Sequence, residues 1–176
     1  DTAMYHAKSS GKNRYHFFTP ELNTRVLEQL RLENDLRRGL ERGELSLVYQ
    51  PRVSLQDGQV SSFEALARWQ HPELGNIPPH TFIPIAEKSS LIHPLGREVL
   101  RQACKQAKQW QEAGQPKRVA VNLSVKQLQQ PDITREIASI LAETGLEGQW
   151  LELEITESAA MTDVETNIVT LQTLKD

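Results

Sequence analysis

Cysteine is almost missing from this sequence: Cys104 is the only one in 176 residues. An internal disulfide framework is excluded, and a reducing, cytoplasmic location is the expectation. Cys104 lies in a helical run between Leu100 and Ala107, the setting of a small buried hydrophobe rather than a nucleophile. No apolar run approaches the roughly 18–20 residues that span a bilayer, and no signal-peptide pattern opens the chain. Membrane contact is therefore not expected from this segment, while a tether further upstream stays open. An excess of one charge sign is missing too: 20 Lys and Arg against 23 Asp and Glu give a net charge of -3. That balance offers no basic surface to a nucleic-acid polymer. No glycine-rich phosphate loop follows a strand-like run, which weighs against a nucleotide-binding Rossmann domain. No Gly-x-Ser-x-Gly elbow supports serine hydrolysis. The histidines His6, His16, His71, His80 and His93 lack zinc-site spacing and are expected at the surface. Internal repeats and low-complexity tracts are absent.

What is present is a globular composition, 38% hydrophobic and 24% charged. Both ends look cut: Asp1 falls inside a helical pattern without an initiator methionine, and Asp176 stops a second helical run from Val164 without a C-cap. A piece of a longer protein is the expectation. Residues 1–18 suggest a helix ending near Gly11 and a short strand, the end of a preceding domain. Thr19-Pro20-Glu21 suggests an N-cap with proline at the first helical position. The helix of segment 19–43 carries Leu22, Val26 and Leu30, then Leu32, Leu36 and Leu40, so its apolar stripe rotates partway along. It suits a connector, a self-association face or a helix packed on the next domain.

From Glu44 strands and helices alternate. Leu45 to Gln50 is a predicted strand ended by Pro51, Asp57-Gly58 a turn, and Gln59 to Trp69 a second strand. A proline-rich loop follows to Pro84, then a short helix to Lys88 and a long one from about Gly96 to Ala113. Val119 to Leu123 is a compact strand, and Val125 to Glu143 a helix interrupted near Pro131 and closed by Gly145. Trp150 to Ile155 is the last strand, and a helix starts at Val164. The alternation predicts an α/β fold with a parallel sheet covered by helices, either doubly wound or a (β/α) barrel.

Residues that bear chemistry concentrate on strands. In Phe63 to Trp69 a period of two puts Phe63, Ala65, Ala67 and Trp69 on one face and Glu64, Leu66 and Arg68 on the other. Glu64 and Arg68 start roughly 13 Å apart, too far for a mutual salt bridge but suited to a ligand with a metal-bound group at one end and a phosphate further along. Asn122 ends the Val119 strand, and Glu154 alternates in Leu151 to Ile155 together with Glu152. Parallel α/β folds bind ligands at the C-terminal ends of their strands. Three oxygen donors converging there suit a hard cation, Mg²⁺ or Mn²⁺. Taken singly, each has a plainer explanation: a paired or exposed carboxylate, or for Asn122 a helix cap. A barrel glycosidase using Glu64 and Glu154 as acid and base is another alternative, although the one aromatic platform nearby, Trp69, falls on the opposite face.

The motifs Tyr49-Gln50-Pro51, Glu64-Ala65-Leu66-Ala67-Arg68-Trp69 with His71-Pro72 and Gly75, Phe82-Ile83-Pro84-Ile85-Ala86-Glu87, Val121-Asn122-Leu123-Ser124 and Glu154-Ile155-Thr156-Glu157-Ser158 occur in order. Together they resemble the EAL domain over Leu32 to Asp176. The resemblance implies a modified (β/α)8 barrel, here its N-terminal half over residues 44–176, that hydrolyses cyclic di-GMP to linear pGpG with two divalent cations. It implies Glu64, Asn122 and Glu154 as metal ligands, Glu157 as the residue steadying a later loop, and Gln50, Leu66 and Arg68 as substrate contacts, Arg68 on a phosphate oxygen. Lys88 and Ser90 depart from the pattern in a minor way. The family's later Asp-Asp-Phe-Gly-Thr-Gly segment, its lysine, a second carboxylate ligand and a distal glutamine do not occur. The isolated chain is accordingly expected to be inactive and poorly folded or associated. Asp1 to Lys8 and Gly11 to Tyr15 resemble the C-terminal tail of a GGDEF domain, a common tandem partner. The parent protein is thus expected to be a phosphodiesterase and a homodimer, or alternatively a degenerate EAL module that senses cyclic di-GMP or a protein.

Overall fold

The computed structural model describes residues 20–155 and 164–175. The GGDEF-like tail and Glu157 lie outside the described residues. Helix α1 (Pro20–Arg42) leads into strand β1 (Leu45–Val53), then β2 (Val60–His71) and the short β3 (Gly75–Ile77). Helices α2 (Pro79–Lys88) and α3 (Ile92–Glu112) precede β4 (Arg118–Asn122). Helices α4 (Val125–Leu128) and α5 (Ile133–Thr144), with a 3-10 turn at Gly148–Trp150, precede β5 (Leu151–Glu154), and α6 is Val164–Lys175.

The sheet is mixed rather than wholly parallel. Its order is β1-β2-β4-β5, with β3 also on β2. β2, β4 and β5 are parallel, whereas β1 and β3 run antiparallel to β2. The reason is connection length: only a few residues separate β1 from β2, enough for a hairpin but too few for a parallel crossover. Pro51 does not end β1, which continues to Val53 with Pro51 opposite Phe63. An edge strand tolerates a residue without an N–H. The proline-rich stretch is not one loop but holds β3 and most of α2, with Pro79 in the helix's first turn and Pro84 inside it. Helix α3 starts a turn before Gly96, because Pro94 in its first turn lacks only an N–H that would have no intrahelical partner.

One sheet face is apolar and covered. Ala65, Val119 and Val121 pack with Leu100, Ala103, Cys104 and Ala107 of α3 and with Ile133, Ile137 and Ile140 of α5. Burial pushes the Cys104 thiol up to about 12, as expected of an inert core cysteine. Trp110 closes this layer against Phe63 and Tyr49, at ring separations of 4.9 and 5.1 Å. A second cluster joins Leu36 of α1 to Leu45, Trp69, Phe82, Leu91 and Leu95. Leu36 and its helical neighbours Leu32 and Leu40 thus form the packed part of α1, while Leu30 is exposed. His71 is buried rather than superficial. Its Nδ1 accepts from the backbone N–H groups of Glu73 and Leu74 at 3.1 and 3.0 Å, which builds the turn into β3. No helix among the described residues is long and apolar enough to cross a membrane.

The exit of β4 is fixed by a cap. Ser124, not Asn122, is the N-cap of α4: its Oγ accepts from the Gln127 N–H at 3.3 Å, and Gln127 Oε1 accepts from the Ser124 N–H at 3.2 Å. The Gln127 side chain needs the absence of a side chain at Gly96 on α3, where a Cβ would fall 1.8 Å from its Nε2. Gly96→Ala is expected to destabilise the domain by about 1–3 kcal/mol through overpacking, and Ser124→Ala by about 1 kcal/mol. Urea denaturation checks both, and Gly96→Ala should be the worse.

Candidate active site on the open sheet face

The other sheet face collects the polar residues. Glu64 stands opposite Gln50 of β1 and Ala120 of β4, Ala120 opposite Glu152 of β5, and Asn122 opposite Glu154. Cross-strand neighbours share a face, so Gln50, Glu64, Asn122, Glu152 and Glu154 rise from one surface. Alternation along β2 adds Leu66 and Arg68.

Direct bonds tie these groups together. Asn122 Nδ2 donates to Glu64 Oε1 at 2.8 Å. Arg52, which the motifs did not single out, donates from Nη2 to Glu64 Oε2 at 3.2 Å, and its Nη1 pairs with Glu154 Oε1. The same Nη1 is 3.9 Å from Glu152 Oε2, while Glu152 Oε1 has Arg118 at 3.0 Å. The Asn122 bond, aided by Arg52 and opposed by desolvation, holds the Glu64 carboxyl below its ordinary 4.5. Arg52 is raised above its ordinary value, first through Glu154.

The remaining polar residues lie further out. Arg68 Nη1 donates to the Ala67 carbonyl at 2.8 Å; among the described residues no carboxylate pairs with it. Gln50 is exposed on the edge strand. Leu66 and Asn122 both line a cavity of about 330 Å³ whose other walls include Ile83 and Glu87 of α2 and Ser124. The structure thus joins Glu64, Asn122 and Glu154 into one cluster, keeps Arg68 apart from it, and adds Arg52. Alternation past Pro51 was the signal that could have found Arg52, since it shares a face with Gln50.

The donor set fits a hard divalent cation. Two carboxylates and one amide supply only oxygen donors toward such an ion, and a guanidinium cation bridges the two carboxylates. No three His, Cys, Asp or Glu converge among the described residues, so water, substrate or groups beyond this cluster must complete a six-ligand shell.

The sequence model of the EAL domain matches residues 33–176. This chain belongs to the EAL family. It is 43% identical over 175 residues to the bifunctional diguanylate cyclase/cyclic di-GMP phosphodiesterase MucR of Pseudomonas aeruginosa, covering 99% of this chain and 26% of that protein. It is also 43% identical over 172 residues to the cyclic di-GMP phosphodiesterase PdeR of Escherichia coli, covering 98% of this chain and 26% of that protein. The chain therefore spans about a quarter of the length of these relatives. Among solved structures, the PaMucR phosphodiesterase in its c-di-GMP complex superposes with a TM-score of 0.79 at 41% identity, covering 82% of this chain and 59% of that one. The fold is thus that of EAL domains, and the open sheet with helices on one face fits part of a TIM-like barrel.

A carboxyl held below its ordinary pKa stabilises the EAL fold above that ordinary value, and this contribution is lost as pH falls through the lowered one. Glu64→Gln is therefore expected to flatten the acid limb of the melting temperature as pH falls below the ordinary carboxylate range, measured by circular dichroism at fixed ionic strength.

Proposed function

We propose that the longer protein containing this domain hydrolyses cyclic di-GMP to linear pGpG. One observation carries the reading: Glu64, Asn122 and Glu154 meet on one sheet face around a cationic group, with an arginine on the same face that no described carboxylate occupies. The similarity to two proteins named as cyclic di-GMP phosphodiesterases supplies the substrate class.

In this reading Glu64, Glu154 and the Asn122 amide oxygen hold a divalent cation, Mg²⁺ or Mn²⁺. When bound, such ions supply Lewis-acid charge at the scissile phosphodiester and lower the pKa of water for in-line attack. The chain's own residues perform the rest. Asn122, whose Nδ2 donates to Glu64 in the structure, would turn its amide to present Oδ1 to the cation. Arg68 forks onto a phosphate oxygen, where a planar guanidinium matches the geometry. Leu66 supplies an apolar wall that limits water beside the phosphate, and Gln50 an amide to a base edge. Glu157 would steady a later active-site loop.

The test is hydrolysis by the full-length protein with Mg²⁺ or Mn²⁺, followed by chromatography of pGpG. Glu64→Ala is expected to reduce turnover to the no-enzyme rate. Arg68→Ala should raise KM by about 10- to 100-fold, the worth of one charge-assisted hydrogen bond. Unchanged turnover in Glu64→Ala would refute the proposal. Tight cyclic di-GMP binding without turnover in the parent protein would instead assign a receptor role.

A further inference from the structure

Arg52 enters neither the motif set nor the reaction above, yet it makes the contacts that a cation in this cluster would make. Its guanidinium takes one oxygen of Glu64 and one of Glu154, and Asn122 Nδ2 takes the second oxygen of Glu64. Both Glu64 oxygens are thereby satisfied by protein donors. Asn122 presents its nitrogen to Glu64, so its amide must turn before Oδ1 replaces Nδ2 on that side. The neighbouring Glu152 has its own arginine in Arg118 at 3.0 Å. The charge of Arg52 is therefore directed mainly at the two carboxylates proposed as metal ligands.

Local backbone geometry leaves this side chain free to move while its Cα stays fixed. Arg52 stands opposite Ser62, but Val53 stands opposite Val60, so Ser61 is an extra residue on β2. Such a bulge re-aims the adjoining side chain. Ser61 Oγ donates to the Arg52 carbonyl at 3.1 Å, which pins the backbone. The Arg52 side chain itself is 36% exposed, so withdrawal to water restores hydration to the guanidinium and needs no repacking of the core.

We infer that Arg52, which pairs with both carboxylates, competes with the divalent cation for Glu64 and Glu154. The inference rests on the proposed metal site. Two carboxylates with one guanidinium carry a net charge of one negative unit. Adding a divalent ion with Arg52 still bonded would leave that cluster positive, whereas withdrawal of Arg52 leaves it neutral. Metal binding is thus coupled to release of the arginine and rotation of the Asn122 amide. Arg52 sets the metal concentration at which the site fills and keeps the carboxylates from repelling one another until it does.

The experiment titrates Mn²⁺ into the full-length protein by calorimetry and follows thermal melting in EDTA and in saturating Mn²⁺. Arg52→Ala should bind Mn²⁺ about tenfold more tightly, a coupling of ordinary size. Its melting temperature should fall in EDTA and recover in Mn²⁺. Arg52→Lys, which keeps the charge, should restore near wild-type affinity, and Arg52→Gln serves as the neutral variant if alanine does not fold. Unchanged or weaker Mn²⁺ binding in the neutral variants, as loss of a supporting outer-shell group would give, overturns the inference. So does an equal loss of melting temperature with and without Mn²⁺. If the wild type binds Mn²⁺ and turns over substrate while Arg52→Ala binds no more tightly, the competition alone falls. If neither protein binds Mn²⁺, the metal site falls with it.

Discussion

Like-charge repulsion is the constraint on which this sheet face depends. Glu64, Glu152 and Glu154 rise from one side of a four-strand path, and three carboxylates at such spacing oppose both folding and their own ionisation. The structure answers with two arginines and an amide: Arg118 on Glu152, Arg52 between Glu64 and Glu154, and Asn122 on Glu64. Each half-exposed ion pair stabilises by no more than about 1 kcal/mol. Their importance lies in geometry, because they hold the carboxylates of different strands toward a common point. A hydrophobic replacement would serve stability equally well and destroy that convergence.

The opposite face makes such an acidic surface tolerable. The core is built where Ala65, Val119 and Val121 meet α3 and α5, so the polar face carries little of the burden of folding. Ala120 marks the division. It is fully buried although it lies in register between Glu64 and Glu152, and its methyl is small enough to leave the space above β4 to the flanking side chains. The Ser124 and Gln127 cap then turns the chain away immediately after Asn122, so the amide stays at the strand end. Packing of α3 against α4 at Gly96 reaches the site through that cap.

Much of this was legible because alternation in strands is a strong signal. A period of two placed Glu64 with Arg68 and Glu154 with Glu152, Asn122 ends its strand, and their convergence was expected from the ligand-binding strand ends of parallel α/β folds. The apolar role of Trp69 was legible for the same reason, and the interior cysteine from the apolar helical run around it. The direction of β1 was not read, although the short Asp57-Gly58 connection already implies a hairpin. Pro51 hid Arg52: proline read as a strand end removed the two residues beyond it, and one of those holds the cluster together. His71 misled in the other direction. A histidine beside Pro72 in a turn looks superficial, but its ring replaces a missing backbone acceptor for two N–H groups and is buried to do so.

The two arginines Arg52 and Arg68 show how position rather than residue type decides a role. Both lie on the same sheet face, and both carry a fork able to hold an oxyanion. Arg52 lies within reach of three carboxylates, so its donors are consumed internally and an incoming phosphate would have to compete with the protein's own anions. Arg68 lies four residues beyond Glu64 along β2 and gives one donor to a backbone carbonyl, a weak neutral partner that a charged phosphate oxygen readily replaces. An anionic ligand is therefore drawn toward Arg68 and repelled from the carboxylates unless a divalent cation covers them. Under the proposed function, a cation over the carboxylates would therefore have to accompany a phosphodiester seated across both ends of the strand.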